Sequence, residues 1–370
     1  MQNTARRHQP FLNFRKQNTY NDMPYSIPLR IFLAFISMEG MVTLTVLSVI
    51  VLYIHYRLNR DDPNLAVEDI INRKETKTSS SSSTRKYVNW RYTEKRCVKT
   101  SYGDVHIVVK RSHETCRRHF LTYHDVASNS SVCFDAMFAH MDDSLGLCVY
   151  HVYAPGHFEE SKKLNESYKY PSIKELGDQV QEVLRKMKTG PMIFVGVGAG
   201  ARILTRVAIE TPELVRGLVL ISPTFREAGV WEKIFNFSIK YSNAILENLT
   251  LTRHFNPNVS NEIVQQVRDA LQNISTHSIL KFWDTFTNRT QLDDYDIAIL
   301  QEFYIMLVVG HNKAFWYSGP NYFSDALELR KKLSPKLTTM IQFDRSGPMV
   351  SEEIPGELAA NLDSFIAAFA

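Results

Sequence analysis

The sequence feature that most constrains the fold lies at residues 191–210, which read PMIFVGVGAGARILTRVAIE. The apolar residues 192–195 have the length and composition of a buried strand. Glycines then follow at alternate positions, Gly196, Gly198 and Gly200, before apolar residues resume at helical spacing. Glycine allows a sharply turned backbone and a close approach of neighbouring chain segments. This segment therefore predicts a tight turn between a buried strand and a helix.

Such a strand–turn–helix is typical of the nucleophile elbow of α/β-hydrolases, G-x-S-x-G, whose central residue carries the nucleophile. The central residue here is Gly198, which has no side chain. In that fold the catalytic acid and histidine follow later strands, and the corresponding positions here are His311 and the loop around Gly347. His311 is the last histidine of the chain, so no later histidine is available. The sequence therefore predicts a hydrolase scaffold whose three triad positions, Gly198, His311 and Gly347, are all degenerate.

The rest of the chain supports the same fold class. Strand patterns are found at residues 105–109, 120–123, 146–152, 217–221, 306–309 and 337–343, and helical patterns at 171–188, 326–333 and 356–369. Their alternation indicates a mostly parallel central sheet with helices on both faces, as in the α/β-hydrolase fold. Residues 223–298 break this rhythm with aromatic residues and helical periodicity, so we expect a helical cap inserted between two strands.

An apolar stretch at residues 31–56 predicts an N-terminal transmembrane helix, because roughly 20 such residues span the hydrocarbon of a bilayer. A secretory signal peptide fits less well, since its apolar region has only about 7–15 residues. We therefore expect a single-pass membrane anchor. The predicted organisation is a polar tail (1–30), the transmembrane helix (31–56), a Ser-rich linker (57–90), the first part of the core (91–222), the cap (223–298) and the second part of the core (299–370).

Two features bear on the side of the membrane that the domain occupies. Seven N-x-[ST] sequons follow the apolar stretch, at Asn129, Asn165, Asn236, Asn248, Asn258, Asn273 and Asn288. The four cysteines also follow it and could form two disulfides in an oxidising compartment: Cys97, Cys116, Cys133 and Cys148. Both features favour a lumenal or extracellular domain. The alternative is a cytoplasmic domain with four reduced cysteines.

The region around the turn offers a candidate pocket. His124 and Asp125 end a predicted strand at the place where an active hydrolase supplies an oxyanion-hole amide, and we expect them near Gly198 and Ala199. The simpler interpretation, which we favour, is that the imidazole and the carboxylate satisfy local backbone groups.

Other kinds of site are poorly supported. The turn matches the dinucleotide fingerprint G-x-G-x-x-G/A, but it lacks the acidic residue expected about 20 residues later, so no cofactor is predicted. The histidines His119, His151 and His157 show no recognised metal-ligand spacing, so no metal site is predicted. A net charge of +4 with scattered basic residues argues against a nucleic-acid partner.

Several segments together resemble the N-myc downstream-regulated (NDRG) family. In chain order they are FLTYHDV (120–126), HVYAPG (151–156), YPS (170–172), GVGAGA (196–201), ILTR (203–206) and GLVLI (217–221). The resemblance implies a catalytically inactive α/β-hydrolase fold associated with signalling, differentiation and trafficking. This chain has Tyr153 and His311 where the family has aspartate, and a membrane anchor is atypical for a family that is mostly cytosolic or peripheral.

We therefore expect a membrane-anchored, non-catalytic NDRG-like protein that acts by binding protein partners. Two alternatives stay open. One is a divergent, esterase-like hydrolase with a non-standard nucleophile, which a covalent probe would label at a single site. The other is a small-ligand sensor that uses the pocket beneath the cap, which its ligand would stabilise against heat.

Overall fold

A computed structural model of the protein describes residues 86–368, except 162, 231, 234–235, 237–245, 248–249, 252–253, 257 and 311–320. The expected transmembrane segment, residues 31–56, and the triad position His311 lie outside this part of the chain. Among the helices that are described, none combines the length and the apolar character needed to cross a bilayer.

A single eight-stranded sheet organises the fold, in the order β1-β2-β4-β3-β5-β6-β7-β8. Its strands are β1 Tyr92–Thr100, β2 Gly103–Arg111, β3 Arg118–Tyr123, β4 Leu147–Val152, β5 Met192–Val197, β6 Val215–Ile221, β7 Ile305–Gly310 and β8 Thr338–Phe343. The strands β1 and β2 form an antiparallel hairpin, and β2 pairs antiparallel with β4. Every later pairing is parallel. The predicted α/β-hydrolase architecture is therefore confirmed.

The described helices cover both faces of this sheet. They are α1 Ser130–Ala139, α2 Ile173–Met187, α3 Ala199–Glu210, α4 Asn261–Gln272, α5 Thr276–Thr287, α6 Asp294–Leu300, α7 Tyr322–Lys332, α8 Val350–Glu353 and α9 Pro355–Ala367. The helices α2 and α3 pack on one face, and α1, α8 and α9 pack on the other. The helices α4, α5 and α6 lie between β6 and β7 in the chain. The first two are within the segment predicted as a cap, residues 223–298, and α6 extends two residues beyond it.

The alternation of side chains along the strands builds the two layers of the core. In β6, Leu218 and Leu220 join the cluster that contains α2 and α3, whereas Val219 and Ile221 join the cluster that contains α1 and α9. Successive side chains of a strand point to opposite faces of the sheet, so a strand covered on both faces must be apolar at every position. This is why the central strands read as continuous apolar runs in the sequence.

The helix α1 is absent from our sequence-based prediction. It begins after Asn129, whose side chain accepts a hydrogen bond from the Val132 amide. The serines that follow are weak helix formers, and the buried side chains do not produce a clear amphipathic stripe. Burial of Phe134 and Phe138 against the sheet stabilises this helix, which is a contribution that local sequence patterns do not reveal.

Candidate functional site

The turn between β5 and α3 has the geometry of a nucleophile elbow. Gly198 has φ 53° and ψ −111°, a conformation that residues with a side chain rarely adopt. A Cβ atom at Gly200 would overlap the Tyr123 carbonyl, and one at Gly196 would overlap the backbone of Ala201. The three glycines therefore let α3 start directly against β3 and β5, and the strained elbow is retained although its central residue has no functional group.

The carboxylate of Asp125 fills the space beside this elbow. Its Oδ1 atom accepts hydrogen bonds from the amide of Ala199 at 2.7 Å and from the amide of Val126 at 2.8 Å. A Cβ atom placed on Gly198 would overlap the same carboxylate. In an α/β-hydrolase, the amide after the nucleophile and an amide from the loop after β3 form the oxyanion hole. The Asp125 carboxylate thus fills the space that a side chain at Gly198 would need. It also accepts hydrogen bonds from the two amides that correspond to oxyanion-hole donors.

A histidine from the segment between β6 and α4 completes this arrangement. The Nε2 atom of His254 lies 3.1 Å from Oδ2 of Asp125, and both side chains are buried. Because a carboxylate oxygen only accepts hydrogen bonds, Nε2 carries the proton. The His254 carbonyl accepts a hydrogen bond from the Met349 amide at 2.8 Å, which ties this segment to the loop after β8. No local pattern in the sequence links His254 to Asp125, because 129 positions separate the two residues.

His124 interacts with backbone groups and does not point toward a reacting centre. Its Nε2 atom accepts a hydrogen bond from the Ala154 amide at 3.0 Å, and its Nδ1 atom lies 2.8 Å from the Asp125 carbonyl oxygen, to which it donates. Complete burial lowers the pKa of His124 to about 4, so the ring is neutral at physiological pH. The nearby His157 ring is also buried, and burial lowers its pKa to about 3. The structure thus brings the predicted pocket residues together: His124, Asp125, Gly198 and Ala199.

The loop that would carry a catalytic histidine is packed against the cap segment. The Gly347 amide donates to Oε1 of Glu353 at 2.9 Å, and the Asn256 amide donates to the same oxygen at 3.1 Å. A Cβ atom at Gly347 would approach the Asn256 amide to 2.6 Å. Gly347 therefore lies where two backbone segments approach closely. The remaining triad position, His311, is outside the described residues.

The predicted sequons differ in accessibility. Asn129 is buried as the N-cap of α1, and Asn236 is buried with its Nδ2 donating to Asp284 at 2.7 Å. A glycan cannot be accommodated at either buried amide in the folded domain. Asn248 lies outside the described residues. The exposed sequon asparagines are Asn165, Asn258, Asn273 and Asn288.

The four cysteines are free thiols in distinct surroundings. Cys97 is exposed on β1, and Cys133 is buried in α1 with its sulfur 3.2 Å from the Ser128 hydroxyl. Cys116 and Cys148 lie next to His119, with their potential ligand atoms all within 4.8 Å of one another. The sequence patterns predicted no metal site. Cys116 and His119 are three residues apart in the chain, and this spacing was the one local signal of the cluster. Cys148 joins them through the pairing of β3 with β4.

With the fold and the elbow defined, comparison with known proteins identifies the family. Residues 95–369 match the model of the Ndr family. The chain belongs to the Ndr family. It is 32% identical over 285 residues to human protein NDRG2, covering 73% of this chain and 72% of the relative. It is 29% identical over 282 residues to Xenopus laevis protein NDRG4-A, covering 73% and 70% of the two chains.

Solved structures similar to this Ndr-family chain share its fold. An esterase from Thermogutta terrifontis aligns with a TM-score of 0.62 at 13% identity, covering 75% of this chain and 99% of the esterase. An esterase from Exiguobacterium antarcticum aligns with a TM-score of 0.61 at 14% identity, covering 74% and 100%. At such low identity these alignments establish the α/β-hydrolase fold and carry no information on catalysis.

Proposed function

We propose that this Ndr-family chain is a membrane-anchored, non-catalytic protein that acts by binding protein partners in signalling or trafficking. The single observation that carries the non-catalytic part is the position of the Asp125 carboxylate. It accepts hydrogen bonds from the amides of Val126 and Ala199, which would otherwise be available to a substrate oxyanion. The membrane anchor rests on the apolar stretch at residues 31–56, and the binding role rests on the family.

The chemistry of acyl transfer explains why this arrangement is incompatible with ester hydrolysis at the elbow. The reaction needs a nucleophile and preorganised donors for the negative charge that develops on the carbonyl oxygen. Gly198 supplies no nucleophile, and the donors already hold a carboxylate. A developing oxyanion would have to displace a negative charge that is buried and hydrogen-bonded. The Asp125–His254 pair therefore stabilises the closed site.

Ester hydrolysis by the full-length protein tests the non-catalytic assignment. We expect no turnover of a short-chain p-nitrophenyl ester above the buffer rate, either for the wild type or for Gly198→Ser, because the new hydroxyl would meet Asp125 and lack a matched base. His254→Ala is the control variant, since it removes an imidazole that contacts the Asp125 carboxylate. Turnover by the wild type that disappears in folded His254→Ala, or single-site labelling by a serine- or cysteine-directed probe, would establish the divergent hydrolase instead.

Membrane attachment is tested by removing residues 31–56. The full chain is expected to stay with membranes after alkaline carbonate extraction, whereas the deletion variant is expected in the supernatant, because the deleted residues are the apolar stretch long enough to span the bilayer. A deletion of similar length within the polar linker, residues 57–85, is the matched control and should leave membrane attachment unchanged. Retention of the 31–56 deletion variant by membranes would contradict the proposed anchor.

The side of the membrane is tested by enzymatic removal of N-glycans from the full chain. For a lumenal or extracellular domain, we expect a gel mobility shift that is lost when the exposed acceptors Asn165, Asn258, Asn273 and Asn288 are changed to Gln together with Asn248. Changing the buried Asn129 to Gln should leave the shift unaltered, since a folded domain exposes no acceptor there. An unchanged mobility of the wild type would place the domain in the cytoplasm.

A further inference from the structure

The cysteines and histidines at the start of β3 and β4 form a group that the elbow does not use. His119 and Cys148 are direct partners in the register between these parallel strands, near the ends from which both strands begin. Cys116 lies just before β3, and the amide of the next residue, Arg117, donates to the Gly146 carbonyl at 2.9 Å. Because the elbow lies at the carboxyl end of β5, this cluster lies at the opposite edge of the sheet. It is therefore separate from the site described above.

We propose that Cys116, His119 and Cys148 form a zinc-binding site. Two thiolates and one imidazole are a ligand set suited to Zn²⁺, with the fourth position of a tetrahedron open to solvent or another ligand. In such a tetrahedron, neighbouring sulfur ligands are separated by roughly 3.8 Å, given zinc–sulfur bonds of about 2.3 Å. The three potential ligand atoms already lie within 4.8 Å of one another, so a contraction of about 1 Å closes the site.

The surroundings of the cluster favour its metal-bound form over its metal-free form. The Nδ1 atom of His119 is buried and has no hydrogen-bond partner among the described residues, which is costly unless a ligand satisfies it. Cys148 is buried, whereas Cys116 and His119 are partly exposed, and they provide an entry path for the ion.

The charge balance of the occupied site is also favourable. Zinc is held by thiolates and a neutral imidazole, so the charge of the occupied site can be counted from its ligands. When Zn²⁺ binds, the two thiol protons leave to solvent, and the ion with two thiolates and a neutral imidazole has no net charge. Arg111, which pairs with Cys148 across β2 and β4, therefore faces a neutral complex and does not repel it.

Zinc retention by the full-length protein, purified under reducing conditions and loaded with Zn²⁺, tests this proposal. We expect about one tightly held zinc per chain after gel filtration in the wild type. Affinity should be more than about 100-fold weaker in Cys116→Ser and in His119→Gln, because each substitution removes a direct ligand. Cys97→Ser is the matched control, as it removes an exposed thiol outside the cluster and should retain the metal. Both ligand substitutions are at partly exposed positions, and circular dichroism checks their folding.

Cobalt substitution provides a second readout that a purely structural role would not change. Co²⁺ in the wild type is expected to show thiolate charge-transfer bands and the visible bands of tetrahedral coordination, and Cys116→Ser should weaken the charge-transfer bands. Equal zinc retention by wild type and Cys116→Ser would overturn the proposal. A Cys116–Cys148 disulfide in protein isolated from cells with its thiols blocked would also overturn it, because metal binding and oxidation compete for the same sulfur atoms. Neither result bears on catalysis at the elbow.

Discussion

A single carboxylate determines the chemical character of the elbow. Asp125 is buried, accepts hydrogen bonds from two backbone amides and contacts His254. The absence of a side chain at Gly198 is what leaves room for it, since a Cβ atom there would overlap the carboxylate. The glycine and the aspartate are therefore a matched pair. We therefore expect a change of either residue alone to lower the free energy of unfolding by more than the loss of one contact would.

This pairing predicts that Gly198→Ala destabilises the domain by about 2–4 kcal/mol, because the methyl group overlaps Asp125 and the backbone conformation disfavours a side chain. Gly198→Ala should destabilise the domain less in an Asp125→Gly background, because the overlap with the carboxylate is absent there and only the unfavourable backbone conformation of residue 198 remains. Denaturant unfolding of the two single variants and the double variant gives the coupling energy. Gly190→Ala is the control, since no atom lies within 4 Å of its added methyl group. Strict additivity would show that the carboxylate does not occupy this space.

Among the elements, helix α2 illustrates how far local sequence signals reach. The predicted helix at residues 171–188 is present as Ile173–Met187, with Ser172 as its N-cap. The Ser172 side chain accepts from the Glu175 amide at 3.3 Å, and the Ser172 amide donates to the Glu175 carboxylate at 2.7 Å. This capping box follows directly from the S-x-x-E pattern of the sequence. The capping box involves residues only three positions apart, so it can be predicted from the local sequence.

Replacing the capping residue tests this contribution. Ser172→Ala is expected to lower the free energy of unfolding by about 1 kcal/mol, because the hydrogen bond that the Ser172 hydroxyl accepts from the Glu175 amide is lost, whereas the bond donated by the Ser172 backbone amide is kept. Hydrogen bonds from the Ser172 backbone amide and from its side chain both lower the pKa of Glu175. The variant lacks only the side-chain contribution, so the difference in stability between wild type and variant should shrink as the pH falls through that pKa. Chemical denaturation at neutral and acidic pH measures both effects. Ser364→Ala, at an exposed position within α9, should leave stability nearly unchanged, and an equal loss there would contradict the capping assignment.

For the whole molecule, a buried acid on α8 couples stability to pH. Burial, with a contribution from Asp135 on α1, raises the pKa of Glu352 to about 8. The unfolded chain ionises near pH 4.3, so between about 4.3 and 8 the folded state holds a proton that the unfolded state has lost. The free energy of unfolding therefore falls as the pH rises through this window. The Oε1 atom of Glu352 has no hydrogen-bond partner among the described residues, which is consistent with this unfavourable ionisation.

Neutralising this acid should therefore stabilise the protein at high pH. Glu352→Gln is expected to gain roughly 3–4 kcal/mol relative to wild type between pH 5 and pH 8, since the folded state keeps the proton across about three pH units and each unit corresponds to about 1.36 kcal/mol. Denaturant unfolding across this range measures the gain. Glu357→Gln, at an exposed acid of α9, is the control and should follow the wild type at every pH. Parallel profiles for Glu352→Gln and wild type would show that the acid ionises normally in the folded protein.

The class of fold and the place of the elbow follow from local patterns in the sequence. Continuous apolar runs mark strands buried on both faces, and glycines at alternate positions mark a turn with backbone close on both sides. Both patterns involve residues that are neighbours in the chain, so they can be recognised without knowledge of the tertiary structure. The glycines also place Gly198 at the centre of the turn. The helix α1 escaped prediction because its stability comes from burial of Phe134 and Phe138 rather than from local preference.

Contacts between residues that are distant in the chain follow from the tertiary structure. The contact of His254 with Asp125 and the cluster of Cys116 and His119 with Cys148 depend on the packing of the cap segment and the pairing of β3 with β4. Asp125 occupies the oxyanion hole because β3 and β5 are neighbours, which brings the loop after one strand against the turn after the other. Hydrogen bonds and metal ligation act over a few ångströms in space, whereas sequence patterns report neighbours along the chain. The residues of this elbow could therefore be recognised in the sequence, but the contacts of Asp125 with the Ala199 amide and with His254 could not.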